Sequence, residues 1–230
     1  MKELICFAHR GASGHEPENT LAAVEKAIAL RADWIEVDVY AVAGELIVIH
    51  DERLERTTNG AGYVRDASLS YLRSLDAGKG QRIPTLREVF DSVDGRAGIN
   101  VELKGPKTAG LAVSLIEEYV RERLWNYEQF IVSSFSRRQL RKVRKLNPQI
   151  RLGILIDRPR RRYAIFARRY HAYSVHAQIN IASARFIAHA HERGLKVFVY
   201  TVNSPEDIDR LRALGVDGIF TDFPELIVSR

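Results

Sequence analysis

An α/β fold, a (β/α)8 TIM barrel with a small insertion after the second strand, is what the sequence predicts on three observations. Short β-branched runs alternate strictly with amphipathic stretches, eight times along the chain, and such alternation calls for a parallel sheet with right-handed crossovers. The length, 230 residues, suits a compact barrel. The turn after the first strand, His9-Arg10-Gly11-Ala12-Ser13-Gly14, is not the GxGxxG phosphate turn that a doubly wound open sheet usually carries there.

The elements follow in order. Residues 4–8 read as the first strand, and residues 20–31 as a helix with Leu21, Val24 and Ile28 at helical spacing. Residues 34–39 form the second strand, and residues 46–49 pair back on it through Gly44. Residues 51–83 are the widest irregular segment, long enough for a functional loop or a small insertion. Pro84 introduces a helix over 85–93 with Thr85 as its N-cap. Strands at 98–103, 130–133, 152–156, 173–175, 196–200 and 218–220 alternate with helices at 111–123, 137–146, 163–170, 183–193 and 205–214.

Composition narrows the function classes. A hydrophobic content of 46% excludes a disordered chain, and the single Cys6 excludes a disulfide scaffold. No run approaches the roughly 18 apolar residues of a membrane span, and the first residues show neither a long apolar core nor a cleavage site of secretory type. The expectation is one domain over residues 1–230, located in the cytoplasm. The net charge of +6 is local: residues 137–169 hold 13 Lys or Arg against the single acid Asp157, leaving the rest of the chain at −6. The basicity therefore describes one face and calls for no nucleic acid partner.

Chemistry-bearing residues collect where strands end, the catalytic end of a barrel. His9 and Arg10 follow the first strand, Glu36 and Asp38 close the second, His50 and Asp51 follow its extension, and Glu102 and Lys104 close the third. Residues i and i+2 share a strand face, so Glu36 and Asp38 point together while Val37 and Val39 point away. Three carboxylates at one mouth cannot all stay ionised without a cation, and all-oxygen ligands suit Mg²⁺ or Ca²⁺. Two histidines supply a proton donor and acceptor, and Arg10 with Lys104 would hold an anion such as phosphate. His15, His171, His176, His189 and His191 read as hydrogen-bonded structural residues, with His176 also placed to line a pocket; Asn59-Gly60 reads as a turn.

The motifs carrying these residues resemble the glycerophosphodiester phosphodiesterase family of short, cytosolic bacterial type, nearly end to end. The resemblance rests on His9-Arg10-Gly11 with Pro17-Glu18-Asn19-Thr20, Glu36-Val37-Asp38-Val39, His50-Asp51 with Leu54 and Arg56-Thr57-Thr58-Asn59-Gly60, and Ile83-Pro84-Thr85-Leu86 with Glu88. Val101-Glu102-Leu103-Lys104, Ser133-Ser134-Phe135, Val202-Asn203 and the run from Gly215 to Pro224 complete it. It implies one divalent cation, Mg²⁺ or Ca²⁺ with Mn²⁺ a further candidate, on Glu36, Asp38 and Glu102. It implies His9 and His50 as the acid–base pair, with Arg10 and Lys104 on the phosphate. The implied reaction cuts small-molecule glycerophosphodiesters to sn-glycerol 3-phosphate and an alcohol, beginning with attack by the neighbouring glycerol hydroxyl. Tyr200 stands where family members commonly carry Trp on the pocket floor, a departure that bears on substrate preference.

Lysophospholipase D action, or a phosphodiesterase that stops at the cyclic phosphate, is the alternative on the same site. A non-catalytic barrel binding polyanions or lipid ranks lower, because none of the seven acids, histidines and cations is missing. For residues 137–169 the favoured account is a solvated helix surface whose arginines pair with neighbouring acids, of a kind also found in heat-adapted proteins; peripheral contact with anionic lipid is the sharper alternative. The sequence leaves the oligomeric state open.

Overall fold

Strand residues alternate between two apolar layers, and that alternation builds the barrel. In the computed structural model, which describes residues 3–123, 125–158 and 163–228, eight strands run parallel: β1 (Ile5–Ala8), β2 (Trp34–Val42), β4 (Gly98–Leu103), β5 (Phe130–Ser134), β6 (Arg151–Ile156), β7 (Ser174–Gln178), β8 (Lys196–Tyr200) and β9 (Gly218–Thr221). β1 pairs with both β9 and β2, so the sheet closes on itself. The β1–β2 seam is short, two residue pairs, Phe7 with Trp34 and Ala8 with Ile35. Val37, Val39, Val101, Val132, Val197 and Ile219 face outward into the main apolar layer beneath the helices. Phe7, Ile131, Phe198 and Phe220 fill the barrel interior, with Phe7 and Phe220 ring centroids 4.5 Å apart.

The helices α1 (Leu21–Ala29), α3 (Leu86–Val93), α4 (Thr108–Glu122), α5 (Arg137–Leu146), α6 (Tyr163–Arg169), α7 (Ala184–His191) and α8 (Pro205–Ala213) link the strands, and a short α9 (Glu225–Val228) ends the described chain. Thr20 caps α1, and Thr85 with Glu88 forms a full capping box on α3. The extension at 46–49 is the antiparallel strand β3 (Glu45–Val48), joined to β2 by a turn in which Ala43 and Gly44 both have positive φ.

Three features differ from the sequence expectation. β7 runs on through His176 to Gln178, past the boundary at Val175 that the apolar run marks, because its inward-facing positions are polar and hide the strand pattern. α4 begins at Thr108, whose buried side chain bonds back to the Gly105 carbonyl. Residues 51–83 hold a 3-10 turn, Val64–Asp66, a short helix α2 (Leu69–Ser74) and a satellite core of Leu54, Val64, Leu72, Leu75 and Ile83 packed against Ile47 and Ile49 of the hairpin. Residues 159–162, part of the arginine-rich stretch, lie outside the described residues. No described helix is long and apolar enough to cross a membrane.

Candidate active site

Every site residue singled out in the sequence lines or underlies one cavity of about 450 Å³ at the C-terminal mouth of the barrel. β2 brings Glu36 and Asp38, and β4, its neighbour in register, sets Glu102 opposite Asp38. Ligand atoms from the three carboxylates all lie within 4.8 Å of one another. Burial, then repulsion from Asp38 and Glu102, pushes the Glu36 carboxyl well up. Burial and Asp38 push Glu102 up to about 7. Burial also works on Asp38, but Lys104, Arg10, His50 and Asn19 outweigh it and hold that carboxyl below its ordinary value. With all three acids ionised, Glu36, Asp38 and Glu102 outnumber the two cations beside them, Arg10 and Lys104, and the all-oxygen donor set fits a hard divalent cation.

Arg10 sits in a left-handed turn, φ 53°, that folds its amide onto the Glu36 carboxylate at 2.9 Å. Its guanidinium reaches Glu18 at 2.7 Å and Asp38 at 3.4 Å. Lys104 Nζ lies 2.9 Å from Glu102 and 3.6 Å from Asp38. Burial disfavours both charges, but the surrounding carboxylates more than offset it, and both cations are held above their ordinary pKa.

The two histidines are each fixed by a carboxylate on Nδ1, which leaves Nε2 for the cavity. His9 Nδ1 lies 2.7 Å from Asp222 Oδ1, and the same oxygen accepts from Ser13 Oγ at 2.8 Å. Asp222 Oδ2 accepts from Asn203 Nδ2 at 2.6 Å. Burial raises Asp222, but these hydrogen bonds win and hold it at about 2. His50 arrives on the returning strand of the β2–β3 hairpin, and its Nδ1 lies 2.5 Å from Asp51 Oδ1. Arg56 clamps Asp51 and reaches Glu18 at 2.8 Å, which ties His50, through Asp51, to the Arg10 side of the pocket. Burial, Lys104 and Arg10 keep the His50 ring below its ordinary pKa against Asp38 and Asp51.

Phe135, Leu155, Ile179 and Tyr200 give the cavity an apolar side. Tyr200 donates its hydroxyl to the Ile156 carbonyl at 3.0 Å and meets Phe135 and Phe220 edge-on. His176 lines the floor, fully buried, with Nε2 on Ser174 Oγ at 2.8 Å; desolvation lowers it to about 3, so it is neutral. No residue of 51–83 lines the cavity, so the insertion shores up His50 from outside and leaves the mouth open.

Of the other histidines, His15 pairs with Glu225, His189 with the Tyr163 hydroxyl and His191 with Asp217. Asp222, Asp51, Glu18, Asn19, Arg56 and Asn203 hold the site residues in place through contacts that residue type alone does not reveal. Asn19, at φ 59°, donates to Asp38 at 3.0 Å and accepts its amide at 3.2 Å. These residues stand inside the family-like motifs, the one signal that could have flagged them.

A barrel with an acid triad, two carboxylate-anchored histidines and two cations at its catalytic end defines an enzyme acting on phosphate esters. Comparison with known proteins narrows that class. The model of the glycerophosphoryl diester phosphodiesterase family matches residues 9–226, and the chain belongs to that family and is an enzyme of its class. It is 39% identical to a glycerophosphodiester phosphodiesterase of Caldanaerobacter subterraneus, over 100% of this chain and 98% of that one. Among solved structures, an Oleispira antarctica phosphodiesterase in complex with its product sn-glycerol-3-phosphate superposes with a TM-score of 0.89 at 28% identity, covering 97% and 95% of the two chains. A glycerophosphodiester phosphodiesterase from Agrobacterium tumefaciens does so at 0.83 and 29% identity over 100% of both.

Proposed function

We propose that the protein hydrolyses glycerophosphodiesters to sn-glycerol 3-phosphate and a free alcohol in the cytoplasm, with residues 1–230 acting as one catalytic domain. The observation that carries this reading is the meeting, at one cavity, of a carboxylate triad within 4.8 Å and two histidines each held at Nδ1 by its own carboxylate. Glu36, Asp38 and Glu102 would hold one divalent cation, Mg²⁺, Ca²⁺ or Mn²⁺. Such an ion, when bound, supplies charge neutralisation at the phosphate and acidifies an adjacent hydroxyl.

The chain's own groups do the rest. Arg10 and Lys104 grip the phosphate oxygens, the planar guanidinium giving direction and the ammonium giving charge. One histidine, neutral, takes the proton from the attacking glycerol hydroxyl through Nε2. The other, protonated, gives its proton to the departing alcohol oxygen as the phosphorus–oxygen bond breaks. The roles then reverse as water opens the cyclic phosphate, restoring both protonation states. The carboxylates on Nδ1 steady each ring as it becomes cationic. Tyr200 lines the side that receives the substrate's apolar carbons.

A second reading, lysophospholipase D action, is favoured by the apolar side of Phe135, Leu155 and Ile179 and by the uncovered mouth. The test is phosphorus NMR of metal-stripped protein with glycerophosphocholine, before and after each ion is restored. Metal-dependent release of sn-glycerol 3-phosphate, abolished in His50→Ala, is expected. An accumulating cyclic phosphate would overturn hydrolysis, and preference for lysophosphatidylcholine would favour the second reading.

A further inference from the structure

Among the described residues, most cations of the α5–α6 flank are not paired with acids. Between residues 137 and 169, Arg151 pairs with Glu128 and Arg158 with Asp157. The outward cations of α5 (Arg138, Arg141, Lys142, Lys145) and of α6 (Arg168, Arg169) make no ion pair among the described residues. They are exposed, and like charges held together on one face repel unless an outside anion covers them.

The flank also carries apolar surface in an unusual place. α6 is only seven residues long, and it buries Tyr163, Phe166 and Ala167 against the barrel while Ile165 stands 69% exposed on its crest. Between α6 and α5 lies an open groove of about 330 Å³ lined by Arg137, Arg141, Ile165, Phe166, Arg169 and Tyr170. The guanidinium of Arg137 lies 5.7 Å from the Phe166 ring centroid, and that of Arg169 lies 5.7 Å from the Tyr170 ring centroid. The aromatic faces are therefore already covered by arginine, and the crest offers an aliphatic side chain. Leu146, at the end of α5, is 50% exposed, and Phe135, just before α5 at the cavity mouth, is 47% exposed.

We infer that the α5–α6 flank is a docking surface for an anionic phospholipid bilayer. Phosphate headgroups would neutralise the unpaired arginines and lysines, and Ile165 would enter the headgroup–acyl boundary. Single-stranded nucleic acid fits less well, because its bases need open aromatic platforms and the two rings of the groove are capped by guanidinium groups. With α5 and α6 on the lipid, the cavity mouth opens at the edge of the bilayer beside Phe135, where Arg137 opens α5. The surface lies outside the catalytic cavity, so it goes beyond the proposed reaction and does not depend on it.

Vesicle sedimentation of the full chain tests this, using phosphatidylcholine alone or mixed with phosphatidylglycerol, at low and high salt. Binding to the anionic vesicles only, weakened by salt, is expected. The double variant Arg141→Glu/Arg169→Glu should lower the partition coefficient at least tenfold, and Ile165→Ser several-fold. All variants should turn over soluble glycerophosphocholine at the wild-type rate, which also confirms their folding. Equal binding to neutral vesicles, no binding at low salt, or charge-reversed protein that partitions like wild type would overturn the inference. Retention by polyuridylate without retention by anionic vesicles would overturn it in favour of nucleic acid.

Discussion

Replacing Asp222 by Asn isolates what the carboxylate behind His9 does. Asn203 cannot turn to accommodate the change, because its Oδ1 already accepts from the Asp222 amide at 2.9 Å and from Thr221 Oγ1 at 3.1 Å. Its Nδ2 therefore keeps facing residue 222 and forces the new amide oxygen to that side. The new NH₂ then faces His9 Nδ1, where the carboxylate oxygen stood 2.7 Å away. Ser13 adapts, since its hydroxyl also donates to the His9 carbonyl at 2.8 Å. A donor aimed at Nδ1 moves the ring proton to Nε2, so His9 presents the wrong tautomer to the cavity. Losing one charge-assisted hydrogen bond costs about 1.5–3 kcal/mol, roughly 10- to 150-fold in rate. The reversed tautomer adds to this, and the same exchange in a serine protease triad costs about 10⁴. We expect kcat/KM on glycerophosphocholine to fall about 10²- to 10⁴-fold, with Tm lowered by about 3–12 °C for the same loss of about 1.5–3 kcal/mol. A variant within about threefold of wild type would refute the tautomer argument. The pH dependence has a definite sign. The Asp222 carboxyl lies at about 2, below its ordinary 3.8. Its contribution is complete above about pH 4 and is lost as pH falls through about 2, so Asp222→Asn should flatten that part of the acid-unfolding curve.

Three further outcomes follow from the geometry. A divalent cation at about a hundredfold its Kd should add about 2.7 kcal/mol and raise Tm by about 5–11 °C, a shift that scanning calorimetry should lose in Glu36→Gln. His176, neutral and held near 3 by burial against an ordinary 6.5, should contribute a loss of about 1.4 kcal/mol per pH unit as pH falls below about 6.5; because the raised Glu36 and Glu102 carboxyls act in the opposite sense over this range, the contribution is read as the difference between wild type and His176→Phe in urea unfolding at pH 7 and 5.5. Gly11 has φ 78°, and a Cβ there would lie 2.6 Å from the Ala23 carbonyl carbon. Gly11→Ala should therefore cost about 2–4 kcal/mol, seen as a Tm lower by about 4–16 °C.

The barrel was legible because its outward strand positions are β-branched and its helices amphipathic, a periodicity that survives without tertiary information. The acid triad was legible for the same reason: Glu36, Asp38 and Glu102 occupy inward positions of strands whose outward positions are Val and Leu. The reading failed where the inward face itself is polar. His176 and Gln178 break the apolar run, so the periodicity ends β7 at Val175 although both side chains point into the barrel. The satellite core escaped notice because Leu54, Val64, Leu72 and Ile83 follow no helical or strand period. The group that orients His9 is invisible to local pattern: Asp222 lies 213 residues from it, and only closure of the barrel brings them together.

The short β1–β2 seam gives the site a mechanical role. Only Phe7–Trp34 and Ala8–Ile35 pair across it, and just beyond them the Gly11 amide bonds to the Glu36 carbonyl at 3.2 Å and the Arg10 amide to the Glu36 carboxylate. The first and second strands are thus buttoned together by residues of the catalytic mouth. A phosphate on Arg10 together with a cation on Glu36 and Asp38 would fasten the ring at this two-pair join, so occupancy should register as slower amide exchange at Phe7 and Ala8, inside the barrel wall.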